Sequence, residues 1–368
     1  MKKNQSIFVL SVLLLAMSAC NEDEIGGQPV LSGEAIEFGA PSIHVEADTR
    51  GPVDQLPEGS SFGVLGYCLA QTAPDNATLN PASGSQVWSN KKQLCYPEVF
   101  YKKKVTYSGG SCSYEPLKKW YEPTNYNYSF FAYYPYEGAF TVTTEAQELG
   151  APKVKFSIPF DSTEEATALE ADDVPDAMVA QEIDVVRNTG QVQLNFLHIL
   201  TGLNFQVNNY NAKENGDPGE TVTIHSLKLY GTFYKSIEIN FDSGYNFPNE
   251  TFSGTYTIVP EGSDIKVPGL TSVSEIGNKT ILMVSNLSQT TGTSAYLGDL
   301  KLGIEYSFNG KEHYTPDEPF TRPDNFLPAG GTIYTAQLNF IGNSFVLNFV
   351  VDNNQQWEDG GDSDITFE

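Results

Sequence analysis

What most constrains this chain is a two-residue alternation of apolar side chains that halts at turn-forming pairs. In "LKLGIEYSFNGKEHYT" (300–315), Leu302, Ile304, Tyr306 and Phe308 share one face, and Asn309-Gly310 then supplies the pair that a type I′ hairpin requires. In "PKVKFSIPF" (152–160), Val154, Phe156 and Ile158 fall on one side, with Lys155 and Ser157 on the other. Helical periodicity is nearly absent. Aromatic residues reach 12 % and stand in short apolar stretches punctuated by Gly, Pro, Asn and Thr, which is the composition of strands rather than helices. An all-β fold is expected. At 368 residues the chain exceeds the usual single domain. From Asp161 to Asp184 it holds nine acidic residues and no basic ones, before the apolar stretch "QVQLNFLHILTGLNFQV". We place a linker near residue 189, between two β-sandwich domains at 51–188 and 189–368. Residues 164–169 have the length of one helical turn, although their charge suits a solvated loop.

The first segment, "MKKNQSIFVLSVLLLAMSAC", has two lysines, an apolar run and small residues up to a cysteine, the pattern of a removable secretory signal over 1–19. Its ending "AMSAC" resembles the lipobox of bacterial lipoproteins, which would make Cys20 the acylated mature N-terminus. The following "NEDE" resembles the surface-export tag of Bacteroides-type lipoproteins. Loss of residues 1–19 removes two lysines and no acids, leaving 19 cations against 46 acids, a net charge of −27. Such a surface repels phosphate backbones, so no nucleic-acid partner is expected. Beyond Cys20 the cysteines are Cys68, Cys95 and Cys112. Cys95 and Cys112 could pair in an oxidising compartment, with Cys68 buried, but so few bridges do not staple a fold of this size.

Motifs for catalysis and metal binding are sparse. His44, His198, His225 and His313 are scattered without metal-ligand spacing. Gly59-Ser60-Ser61-Phe62-Gly63 reads G-x-S-x-G, yet a Pro-Glu-Gly turn precedes it and the strand-like "FGVLGYCLA" follows, the reverse of a nucleophile elbow. "DDVPD" (172–176) and "DGGDSD" (359–364) lack the order of a helix-loop-helix calcium site. The lysines of "NKKQLCYPEVFYKKKV" form the basic patch, and strand-edge protection suits them better than ligand binding. No catalytic residue, metal or cofactor is assigned, and the chain is read as a non-enzyme.

Several stretches, in order, resemble the fimbrillin family, the pilins of type V pili and their lipoprotein relatives. They are "AIEFGAPSIHVEADTRG" after the lipobox, "LPEGSSFGVLGYC", "KKWYEPTNYNYSFFAYYPYEG", "VPDAMVAQ", "LNFLHILTGLNFQV" and "FLPAGGTIYTAQLNF", with Trp357 beyond. Each piece alone is a short aromatic or Gly-Pro signal. The resemblance implies two transthyretin-like β-sandwich domains in tandem, lipoprotein export to the outer membrane and cell surface, assembly with other pilus subunits, adhesion to a host or bacterial surface ligand, and an Arg-specific cut that removes the first strand.

Arg50 then has a candidate role. It is the sole Lys or Arg between Lys3 and Lys91, in "HVEADTRGPVDQ", and Asp48, Thr49, Gly51 and Pro52 favour an exposed turn, where proteolysis concentrates. Pro52, second after the bond, counts slightly against cutting, and an exposed arginine without a role is the bland alternative. Upstream, Ile36, Phe38, Ile43 and Val45 alternate with polar residues around the Gly39-Ala40-Pro41 break, as an edge strand laid over a core would. Cutting between Arg50 and Gly51 would let residues 20–50 carry that strand away and expose a template for another. Phe345, Leu347, Phe349 and Val351 in "SFVLNFVVD" form one candidate incoming strand, preceded by "YTAQLNF" in the same period. A second reading is a surface lipoprotein that holds glycans for polysaccharide uptake, with Trp88, Trp120 and Trp357 as sugar platforms.

Overall fold

The computed structural model describes residues 30–43, 56–70, 86–122, 126–158, 167–169, 173–187, 190–246, 250–274, 276–277, 280–284, 300–319, 331 and 333–351. These residues are built almost wholly of strands, with a short helix α1 (Gln86–Lys91) and a 3₁₀ turn at Lys92–Leu94. In chain order the strands are β1 (Val30–Ala35), β2 (Ser42–Ile43), β3 (Ser61–Ala70), β4 (Phe100–Ser108), β5 (Ser111–Ser113), β6 (Lys119–Glu122), β7 (Tyr126–Tyr134), β8 (Phe140–Val142), β9 (Lys153–Ser157), β10 (Thr167–Leu169), β11 (Met178–Val186) and β12 (Asn195–His198). They continue as β13 (Thr201–Asn209), β14 (Val222–Tyr234), β15 (Ser236–Asn240), β16 (Gly244–Asn246), β17 (Thr251–Val259), β18 (Ile265–Val267), β19 (Thr271–Val273), β20 (Ile281–Met283), β21 (Lys301–Phe308), β22 (Lys311–Pro319), β23 (Ile333–Ile341) and β24 (Ser344–Val351). The all-β class read from the alternation is the class observed.

A seven-stranded sheet, ordered β2-β12-β11-β7-β3-β4-β5, is the centre of the first half. Both its faces are covered, which is why β3 is buried from Phe62 to Leu69 instead of on alternate residues. Phe62, Val64 and Cys68 face one core cluster, which also holds Ile36, Phe38, Trp120 and Phe130. Leu65, Tyr67 and Leu69 face the larger cluster on the other side, against the four-stranded sheet β16-β15-β9-β8. Within that layer Val154, Phe156 and Ile158 are buried, as their alternation requires, and Phe131 meets Phe241 with ring centroids 5.0 Å apart.

The second half pairs two sheets face to face. One is β10-β17-β14-β21-β22 with β18 beside β14, the other β19-β13-β23-β24 with β20 beside β13. Tyr306 of β21 meets Phe340 of β23 at 5.0 Å across the layers. The β21–β22 hairpin turns at Asn309 and Gly310, whose φ values of 52° and 67° are the left-handed pair a type I′ turn needs. Small strands cross between the halves. β10 lies parallel on β17, and β15 pairs with β9 from Ser236↔Ser157 to Asn240↔Lys153. Residues 167–169 are therefore strand rather than helical turn, and 164–166 lie outside the described residues.

Two further expectations change. The Cys95–Cys112 disulfide that an oxidising compartment allows is not formed, because Cys95 belongs to the larger cluster and Cys112 packs against the smaller one, with the seven-stranded sheet between them. Trp88 and Trp120 are 2 % exposed, the first packed on Tyr67 and Phe131, the second on Tyr128 and Phe130, so neither is a surface platform for sugars. Trp357 lies outside the described residues.

Candidate functional site

The N-terminal segment makes the outermost strand of the seven-stranded sheet. It begins as β1, antiparallel to β6 with Leu31 opposite Tyr121 and Ala35 opposite Lys119. It then turns onto the other side of its path, with Phe38 bridging Val192 in parallel and β2 running parallel to β12 through Ser42↔Asn195 and Ile43↔Phe196. From 38 to 42 the segment advances four residues while its partner advances three. The Gly39-Ala40-Pro41 break absorbs the extra residue, as a bulge does.

Three side chains anchor it. Ile36, Phe38 and Ile43 are 0 %, 2 % and 6 % exposed. Phe38 lies among four rings, Phe62 at 6.4 Å, Phe100 at 5.7 Å, Tyr114 at 5.9 Å and Phe130 at 5.6 Å. At roughly 1.5–3 kcal/mol for each buried large side chain, the three contribute about 4–9 kcal/mol gross. The backbone is held as well. Ile36 N donates to Lys118 O at 2.8 Å, Gly39 N to Val192 O at 3.0 Å, and Val192 N to Glu37 O at 2.8 Å. The Tyr114 hydroxyl donates to Ile36 O at 2.5 Å, and the Cys112 thiol to Gly39 O at 3.2 Å. Ser42 and Asn195 bond through their side chains.

Electrostatics close the outer end. Arg187, just past β11, donates from Nε to Glu34 at 2.8 Å and from Nη1 to Glu122 at 3.0 Å, clasping β1 and β6 together. The hydrogen bond from Arg187, and then its charge, hold the Glu34 carboxyl below the usual carboxylate range. Burial pushes the Cys112 thiol up to about 11, so it stays protonated and able to donate to Gly39. Sequence reasoning missed Arg187, Tyr114 and Cys112. No local signal could have found them, since Arg187 is 153 residues from Glu34 and Tyr114 is 78 from Ile36.

The remaining sequence candidates disperse. Cys20, His44, Val45, Arg50 and Gly51 lie outside the described residues. In β24, Phe345 and Leu347 pack partly buried against the large core, and the backbones of Phe349 and Val351 pair with Ala336 and Tyr334 of β23. Ser61 opens β3 and shares a 3.1 Å hydroxyl contact with Thr106, a strand start instead of a nucleophile elbow. His198 is buried, with Nδ1 2.8 Å from Asp176 of the "DDVPD" stretch. His225 has Nδ1 2.5 Å from Asp264 and Nε2 3.0 Å from Ser307. That is the order of a hydrolytic triad, but Nε2 also faces Glu312 at 3.3 Å, and Ser307 sits inside a strand paired on both sides, where no turn presents its hydroxyl. Among the described residues no three His, Cys, Asp or Glu side chains converge as metal ligands.

The structure divides the lysine patch, with Lys91 closing α1, Lys92 buried and paired with Asp242, and Lys102, Lys103 and Lys104 on β4. β5 pairs only with Thr106–Ser108, so among the described strands nothing continues the sheet beyond Phe100–Val105, where Lys102, Lys103 and Lys104 stand. Lys102 has a φ of 52° and its ammonium lies 5.0 Å from the Tyr101 ring. A charged, irregular strand of this kind resists pairing with a foreign edge.

Comparisons with known proteins agree with this architecture. The sequence profile of the fimbrillin-like family matches residues 49–346. The chain is 25 % identical over 413 aligned residues to the fimbrium subunit Fim1C of Phocaeicola vulgatus, with 100 % of each sequence covered. Its fold is similar to the crystal structure of a fimbrial protein from Bacteroides vulgatus, with a TM-score of 0.58 and 19 % identity over 86 % of this chain and 99 % of that one. With a profile match across both halves of the sequence, the chain belongs to the fimbrillin-like family.

Proposed function

We propose that the protein is a pilus subunit or pilus-associated fimbrillin, carried to the outer membrane as a lipoprotein acylated at Cys20, cut after Arg50 by an Arg-specific protease and assembled by strand exchange for adhesion. Its partners are copies of itself or other pilus subunits, and its ligand is a host or bacterial surface. In this reading residues 51–188 and 189–368 are transthyretin-like sandwiches, the first lending β10 to the second and the second lending β12, β15 and β16 to the first.

The observation that carries the proposal is the seat of residues 30–43. They end in β2, the outermost strand of the seven-stranded sheet, and their Ile36, Phe38 and Ile43 fill the core. The covalent connection of this segment to the rest runs through the chain downstream of it, which contains Arg50. Of the three arginines, Arg187 is held by two carboxylates and Arg322 precedes Pro323, whereas Arg50 precedes Gly51. The family profile begins at residue 49, beside the proposed scissile bond. Donation by β24 or by chain beyond it would complete the next subunit's sheet.

The test is digestion of the mature protein with an Arg-specific protease, followed by N-terminal mass spectrometry and sizing. A single new N-terminus at Gly51 and growth of multimers are expected, with Arg50→Ala blocking both. Surface fibres that retain residues 21–50 covalently would overturn the reading.

A further inference from the structure

We infer that the edge of β4 is a binding site for an acidic sugar that ends an otherwise neutral glycan, with Lys102 and Lys104 taking its anionic group and Tyr101 and Tyr136 its ring. Such a sugar is the surface ligand of the adhesion reading, on which its biological purpose rests, while the binding itself belongs to the single subunit.

Edge protection accounts for charge on this strand but not for so much of one sign. The chain has 46 acids against 21 lysines and arginines, and β22, at the end of its own sheet, has three acids, one lysine and two prolines in its sequence. β4 instead sets three lysines in a row. Their pairing is also sparse. Elsewhere Lys153, Lys155 and Lys228 meet Glu148, Glu250 and Glu261 at 2.9, 3.0 and 2.7 Å. Within the β4 run, and among the described residues, only Lys104 meets a carboxylate, that of Glu137 at 2.7 Å. Lys103 donates to the Glu115 carbonyl at 3.0 Å, and the Lys102 ammonium lies 5.0 Å from the centre of the Tyr101 ring.

The aromatic rings are placed by the same strand. The register of β4 on β3 shifts between Val64 and Gly66, and Lys102, beside that shift, takes a φ of 52°. Irregularities of this kind re-aim a side chain. The Lys102 carbonyl accepts from the Tyr136 hydroxyl at 3.3 Å, so Lys102 touches both rings, and the Lys104 ammonium lies 5.4 Å from the centre of the Tyr136 ring. Each half-buried ring is fixed from behind. Tyr101 donates to the Thr144 carbonyl at 3.0 Å, and Tyr136 stacks on Tyr133 with centroids 6.3 Å apart. Tyr133 in turn lies across Gly63, where a Cβ would meet its ring at 2.1 Å. The last glycine of the G-x-S-x-G stretch thus makes room for the ring beneath the platform. Rings already held in place lose little freedom when a ligand arrives.

The chemistry selects a particular kind of ligand. A pyranose ring has a face of C–H groups that packs on the electron-rich face of an aromatic ring. A carboxylate or sulfate on that sugar accepts charge-assisted hydrogen bonds from exposed ammonium groups such as those of Lys102 and Lys104. The rest of the surface limits how far the negative charge can extend. The chain has a net charge of −25, so a continuous polyanion lying along it is repelled, as a phosphate backbone is. One anionic residue at the end of a neutral glycan meets only the patch, because charges beyond about 8 Å are largely screened at physiological ionic strength. Glu137 is the internal competitor. Its side chain is 75 % exposed, so its carboxylate yields Lys104 to a ligand at small cost.

The test titrates the untrimmed subunit with sialyllactose, sulfated lactose, lactose and polyglutamate. Saturable binding of one or both acidic sugars is expected, with the two arms telling a carboxylate ligand from a sulfate ester, and with lactose and polyglutamate binding at least about tenfold more weakly. Lys102→Gln with Lys104→Gln should weaken the acidic sugar at least about tenfold at an unchanged thermal midpoint. Tyr136→Leu should weaken it about three- to tenfold, and Glu137→Gln should strengthen it about two- to fivefold by freeing Lys104. Lactose bound as tightly as the acidic sugars, polyglutamate bound as tightly, no binding of either acidic sugar, or a double lysine variant that binds like the parent would each overturn the site. If the site fails while trimmed subunits still multimerise, this inference fails alone. If acidic sugars bind as expected but trimmed subunits never multimerise, the pilus reading fails and the sugar site stands without it.

Discussion

Phe38 is the side chain on which the N-terminal segment turns, because its ring is enclosed by Phe62, Phe100, Tyr114 and Phe130. Phe38→Ala leaves a cavity among rings that cannot collapse into it, and is expected to lower unfolding free energy by about 3–5 kcal/mol, measured by urea denaturation. Glu98 works against stability. Desolvation pushes its carboxyl up to about 7 from 4.5. Between those values the folded protein holds a proton that the unfolded chain has released, so the contribution of Glu98 to stability is greatest below about pH 4.5 and is lost as pH rises towards 7. Glu98→Gln should therefore stabilise the protein by about 1–3 kcal/mol at pH 8 and have little effect at pH 4, as thermal melts at the two pH values would show. That Phe38 is apolar and alternates with Ile36 was readable from the sequence. That Tyr114 and Arg187 would hold the same segment was not, since both contacts join residues far apart in the chain.

At the scale of elements, the clearest sequence signal and the clearest structural match coincide in the β21–β22 hairpin. Asn309 and Gly310 both take positive φ, and both are exposed. Gly310→Val puts a β-branched residue into the left-handed region, with an expected loss of about 1–2 kcal/mol in chemical denaturation. The edges follow a different logic. β4 guards its outer side with lysines, whereas the opposite end of the same sheet is closed by the N-terminal segment. One edge is therefore protected by charge and the other by a segment whose Ile36, Phe38 and Ile43 are buried in the core. Asp184 illustrates what alternation cannot foresee. It sits in the β11 irregularity at a φ of 56°, where its carboxylate accepts from Trp88 N at 3.0 Å and Asn127 Nδ2 at 3.1 Å, fixing α1 to the sheet. In sequence it was one more acid in a run of nine.

At the scale of the whole molecule, the two halves are joined by the β9–β15 ladder and by an ion pair between Lys92, after α1, and Asp242, after β15. The Lys92 side chain is 10 % exposed, so Asp242→Ala takes a carboxylate away from a largely buried ammonium. A loss of about 1–3 kcal/mol is expected, read as a lower thermal midpoint that Lys92→Met in the same chain partly restores. Strand class, the core-facing residues of the regular strands and the type I′ turn follow from the order of residues alone, because side-chain period and backbone φ are local properties. So does the family resemblance, carried by short motifs in sequence order. Which thiols stay apart, which tryptophans are interior, and which tyrosine and arginine grip the first strand were settled only by the fold. Those contacts depend on which sheet edge each segment finds, and a register formed between residues 150 positions apart leaves no trace in the local pattern of either partner.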